Sequence, residues 1–134
     1  MSIDELCYKV IGSAMAVHRH FGTGYLEEVY KNALMVELEA LGLHAEKEMS
    51  IPVDYKGVRV GDYRADIIVE NRLILELKAV TALCSAHEAQ LVNYLNATGI
   101  DDGLLINPRK SSCRNANSPR RADISRGDAE ARRI

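Results

Sequence analysis

No stretch of the chain approaches the ~18–20 consecutive apolar residues that a membrane-spanning helix needs. The opening Met1-Ser2-Ile3-Asp4-Glu5 lacks the basic start of a secretion signal. The expectation is a cytoplasmic protein with no membrane partner. Cysteine is scarce: Cys7, Cys84 and Cys113 are odd in number, far apart and free of any C-x-x-C pair, which argues against a disulfide framework or zinc knuckle and predicts reduced thiols. Also missing are a G-x-x-x-x-G-K-[ST] phosphate loop, a G-x-S-x-G nucleophile elbow and an H-E-x-x-H metal helix. His18 and His20, two apart on a predicted helix, point nearly opposite ways and do not form a metal pair.

What is present suits one soluble domain: 134 residues, 47% hydrophobic and 27% charged. The net charge of −2 hides an asymmetry, because residues 1–107 hold 9 basic and 16 acidic side chains and residues 108–134 hold 8 and 3. An acidic body argues against a protein that grips nucleic acid mainly by counterion release, although the basic tail can supply part of that attraction. Beyond Pro108 the aromatics vanish and no helical or strand period remains. Residues 108–134 therefore read as a poorly ordered basic appendage to a domain at 1–107.

Within that domain, Ser2-Ile3-Asp4-Glu5 is a capping box before an amphipathic stripe of Ile3, Leu6, Val10, Ala14, Val17 and Phe21, predicting a helix that ends at Gly22. A second helix is expected from about Gly24 to Leu41, stopped by Gly42. Met49, Ile51, Val53 and Tyr55 then alternate with polar partners, and Pro52 favours an edge strand. Lys56-Gly57 turns the chain into a strand at about Val58–Val69, and Glu70-Asn71-Arg72 turns it into another at Leu73–Ala79. Ser85-Ala86-His87-Glu88 reads as a capping box opening a third helix, and Gly103–Asn107 as a buried last strand. Tight turns make the first three strands antiparallel, whereas a strand reached through a helix is parallel to its neighbour. The expected class is α+β, a sandwich of helices on a mixed sheet.

Four polar positions look out of place in a domain that only had to fold. Positions 27, 30, 34, 38 and 41 form one helical stripe, all Tyr or Leu except Glu27. Its carboxylate is expected toward the core side, where it must find a cation or a metal; placement in the first turn, favoured by the macrodipole, is the alternative. If a three-residue turn sets Val69 opposite Leu73, Asp66 and Glu76 share a face, and two such acids repel unless a cation lies between them. Hard ions such as Mg²⁺ take these oxygen ligands. Lys78 leaves the strand on the same side as Glu76, although an isolated E-x-K also suits a merely solvated face. Gln90 and Tyr94 share a face of the third helix, and His87 in its first turn is near the same region.

With those residues in place, the chain resembles the GxxExxY protein family, a branch of the PD-(D/E)xK nuclease superfamily. Gly24-Tyr25-Leu26-Glu27-Glu28-Val29-Tyr30 is similar to the branch signature, and Asp66, Glu76-Leu77-Lys78 and Gln90-Leu91-Val92-Asn93-Tyr94 are similar to the superfamily's acid, E-x-K and Q-x-x-x-Y elements. Ala65 stands where the superfamily name has proline. The resemblance implies a restriction-endonuclease-like αβββαβ core with an extra N-terminal helix, and hydrolysis of DNA or RNA phosphodiester bonds with Mg²⁺ or Mn²⁺. It implies that Asp66, Glu76 and the Leu77 carbonyl hold the ion, that Glu27 orders the ion or its water, and that Lys78 assists the attacking water. Gln90, Tyr94, Tyr30 and His87 would shape the site. Nucleic acid, DNA ahead of RNA, is the implied partner, and an exposed edge strand is compatible with a homodimer. The alternative is an inactive nuclease-fold module that binds nucleic acid or a protein partner.

Overall fold

A computed structural model describes residues 1–80, 82–107, 123–126 and 129–134. Helix α1 (Ile3–Phe21) begins at Ser2, whose hydroxyl accepts the Glu5 N–H at 3.1 Å, and ends at Gly22 with φ of 68°. Helix α2 spans Glu27–Ala40. Strands β1 (Ala45–Tyr55), β2 (Val58–Val69) and β3 (Leu73–Leu77) follow as an antiparallel meander. Helix α3 (Ser85–Thr98) crosses over to β4 (Asp102–Asn107), which is parallel to β3. The α+β expectation, the mixed sheet and the strand directions hold.

Two expectations need correction. The N-cap of α3 is Cys84, one residue before the expected Ser85: the Cys84 N–H donates to Nδ1 of His87 at 3.1 Å, and the His87 N–H donates back to the Cys84 carbonyl at 3.1 Å. The second concerns residues 108–134, expected to be a poorly ordered appendage. Strands β5 (Asp123–Arg126) and β6 (Ala129–Arg133) join the sheet, whose order is β1-β2-β3-β4-β6-β5, and β6 runs antiparallel to β4. Residues 108–122 and 127–128 lie outside the described residues, and Cys113 with them. Cys7 and Cys84 are free thiols.

The sheet separates two apolar layers. Leu73, Leu75 and Leu77 of β3, with Leu104 and Ile106 of β4, pack under Leu6, Val10, Tyr30, Leu34 and Leu38 of α1 and α2. On the opposite face Ile68, Ile74 and Leu105 pack under Leu91, Tyr94 and Leu95 of α3. The period-2 alternation of β3 thus buries both faces, as an internal strand requires. That alternation breaks in the β1–β2 hairpin. Ile67 lies on the α1/α2 side while Ala65, two residues earlier, lies on the α3 side. The break falls at Asp66, flanked by the pairs Lys47↔Ile67 and Met49↔Ala65 across from Glu48, and Glu48 has a left-handed φ of 58°.

Candidate active site

Ladder pairing between β2 and β3 runs Val69↔Leu73, Ile68↔Ile74 and Ile67↔Leu75, then stops. This is the register the three-residue turn requires. At the next step side chains take over from backbone: the Asp66 N–H donates to Glu76 Oε1 at 3.0 Å, and the Leu77 N–H donates to Asp66 Oδ2 at 2.8 Å. Two strand-edge amides that would otherwise be orphaned are satisfied by the two carboxylates, which draws the acids together.

Glu76 is only 3% exposed. Burial, and next the neighbouring Asp66 charge, push its carboxyl up to about 8, against the smaller opposing influence of the Asp66 amide and of Lys78 and Lys31. Lys78 follows β3 with its N–H still bonded to the Ile106 carbonyl at 2.9 Å, so strand geometry continues and carries its side chain out on the Glu76 side. Burial, then Glu76 and Asp66, also push the Tyr94 hydroxyl up, while a hydrogen bond with Gln90 works the other way. Asp66, Glu76, Lys78, Gln90 and Tyr94 therefore occupy one neighbourhood between the end of β3 and the face of α3.

The other expected residues stand further out. Glu27 is exposed in the first turn of α2 and does not point into the core, so the macrodipole placement is the one realised. Tyr30 is fully buried, and its hydroxyl donates to the Gly22 carbonyl at 2.5 Å, bracing the α1–α2 connection. The Nδ1 atom of His87 is engaged by the Cys84 N–H, so the ring closes the start of α3.

Three residues escaped the sequence reading. Lys31, 8% exposed, reaches Asp66 Oδ1 at 3.7 Å from α2 and is also paired with Glu28 and Glu48. Tyr63 of β2, half exposed, leans on Tyr94 with ring centroids 5.6 Å apart. The spacing of Glu28 and Lys31, three apart on a helix, was the available signal for Lys31. Glu48 and Tyr63 gave none, since their neighbours depend on strand register.

A family model described as the PD-(D/E)XK nuclease superfamily matches residues 4–118. The chain belongs to that superfamily. The Gly24–Tyr30 signature is consistent with the GxxExxY branch. No curated protein and no solved structure matches the chain. Among the described residues no three His, Cys, Asp or Glu side chains gather as a ready-made ligand set. PD-(D/E)XK nucleases typically use divalent metal ions, and the donors present here fit one. A buried acid held protonated beside a second acid is an arrangement a cation relieves, and the available atoms, two carboxylates and the Leu77 carbonyl, are hard oxygens suited to Mg²⁺ or Mn²⁺. No helix among the described residues is long and apolar enough to cross a membrane.

Proposed function

We propose that this PD-(D/E)XK chain hydrolyses phosphodiester bonds of nucleic acid, DNA ahead of RNA, in a reaction that depends on Mg²⁺ or Mn²⁺. The observation that carries the proposal is the reciprocal bonding of Asp66 and Glu76 across the end of the β2–β3 ladder, with one acid buried beside the other. A domain that needed only to fold has no reason to bring two carboxylates together at a cost in ionisation.

Asp66, Glu76 and the Leu77 carbonyl would hold the ion. When bound, it supplies charge neutralisation at the scissile phosphate and a more acidic water. Lys78 orients the attacking water and offsets negative charge as the P–O bond to the leaving group breaks. Gln90 and Tyr94, one turn apart on α3, form the α3 side of the site. Glu27, one helical turn before Lys31, has the outer role of ordering water at the rim, and Tyr30 acts through the α1–α2 connection. An acidic body is compatible with a polyanionic substrate because a bound ion would reverse the local field.

Asp66→Asn and Lys78→Ala should each lower magnesium-dependent cleavage of plasmid DNA or labelled RNA by at least about a hundredfold, with circular dichroism and melting temperature showing a folded chain. Undiminished cleavage by either variant would remove the assignment. A chain that binds nucleic acid but never cleaves it, with or without Mn²⁺, would favour the binding-module alternative.

A further inference from the structure

Lys31 is a buried cation in the neighbourhood of the acid pair, with three carboxylate partners of its own. Its Nζ is 3.0 Å from Glu28 Oε2, 3.2 Å from Glu48 Oε1 and 3.7 Å from Asp66 Oδ1. The side chain is 11% exposed, so it is poorly available to a phosphate backbone. Asp66 is consequently held at both oxygens: Oδ1 faces the Lys31 ammonium, while Oδ2 accepts the Leu77 N–H at 2.8 Å. The left-handed turn at Glu48 and the break in alternation at Asp66 bring these side chains within reach of α2.

Resting on the metal-dependent function proposed above, we infer that Lys31 is a positioning residue with a built-in charge: it fixes the direction of the Asp66 carboxylate and sets how strongly the acid pair attracts a divalent ion. The physical reason is competition. A permanent +1 charge in contact with Asp66 opposes a +2 charge arriving on the other side of the same carboxylate, and burial weakens solvent screening of that opposition. Glu28 and Glu48, with side chains 53% and 49% exposed, keep the cluster net negative around the lysine. Removing the ammonium leaves three acids without their shared partner, a stronger attractor for a cation but one in which Asp66 is no longer aimed.

The experiment titrates MnCl₂ into the full chain by calorimetry and follows melting temperature with and without MnCl₂, for the wild type, Lys31→Met and Lys31→Arg. Lys31→Met should bind Mn²⁺ about tenfold more tightly, as expected for two charges about one residue's length from a third in a mostly aqueous field, and should gain more melting temperature from MnCl₂ than the wild type. Its cleavage rate should fall despite the tighter binding. Lys31→Arg should restore both affinity and rate toward the wild type, a rescue that a purely space-filling role would not give. Unchanged or weaker Mn²⁺ binding by a folded Lys31→Met chain, or failure of Lys31→Arg to rescue, would overturn the inference. If Lys31→Met does not fold, Glu48→Gln serves: it should weaken Mn²⁺ binding severalfold by leaving Lys31 more fully on Asp66, and unchanged affinity would count against the role. Wild-type protein that binds no Mn²⁺ at all would instead overturn the metal-dependent function on which this assignment depends.

Discussion

At the scale of single residues, Glu76 couples the candidate site to the stability of the fold. Without metal its carboxyl stays protonated in the folded chain up to about pH 8, whereas in the unfolded chain it ionises near its ordinary value of 4.5. Between those values the folded state binds more protons, so stability falls as pH rises through the window and is greatest below it. At 1.36 kcal/mol per unit the loss is of order a few kcal/mol. In EDTA the melting temperature should therefore drop between pH 5 and pH 8, and Glu76→Gln should flatten the profile; a parallel slope in that variant would show that the titration belongs elsewhere. Asp66, Glu76 and Lys78 were legible in the sequence because a period of two assigns faces once one turn length is known. Lys31 was not, because its three carboxylate partners come from α2, β1 and β2, and no one-dimensional pattern records that convergence.

At the scale of elements, the two hairpins show where sequence reading stops. The Lys56-Gly57 turn pairs Tyr55 with Val58, and carrying that register down the hairpin would set Glu48 opposite Ala65. A β-bulge intervenes: Val53 pairs with Gly61 and Asp54 with Arg59, leaving Val60 as the extra residue, and the shift brings Asp66 opposite Glu48. Nothing in the hydrophobic pattern announces that one-residue step. The start of α3 was readable to within one residue from Ser85-Ala86-His87-Glu88, and its fit against β4 is tight. A Cβ added at Gly103 would come within 3.0 Å of the Leu91 side chain. Gly103→Ala should thus cost about 1–3 kcal/mol by overpacking, read as a lower melting temperature. Because Gln90 and Tyr94 ride on the same helix, cleavage should weaken as well.

At the scale of the whole molecule, the late strand β6 closes what the first 107 residues leave open. Ala131 is fully buried in the core, the Ile134 N–H donates to the Gly103 carbonyl at 2.8 Å, Arg132 reaches Glu88 of α3 at 2.9 Å, and Arg133 reaches Asp4 of α1 at 2.5 Å. The segment looked like a tail because its fully buried apolar residue is an alanine, Ile134 is only partly buried against the α3-side core, and the residue before that alanine is a buried Glu130 bonded to Arg132 at 2.7 Å. A chain cut after Asn107 should expose the edge of β4, whose Leu104, Leu105 and Ile106 are buried, and should melt at lower temperature and self-associate on gel filtration. A truncated chain with the stability and monodispersity of the full one would restore the 1–107 boundary.

The exchange of amides for carboxylates beyond Ile67↔Leu75 also dictates how the acids have to be probed. An alanine at 66 strands the Leu77 amide without an acceptor, so lost cleavage would confound chemistry with a damaged scaffold, whereas asparagine keeps an oxygen for that amide while removing the charge that faces Lys31. Glutamine at 76 does the same for the Asp66 amide. These amide replacements, rather than truncations, are the substitutions able to tell a silent enzyme from a broken sheet.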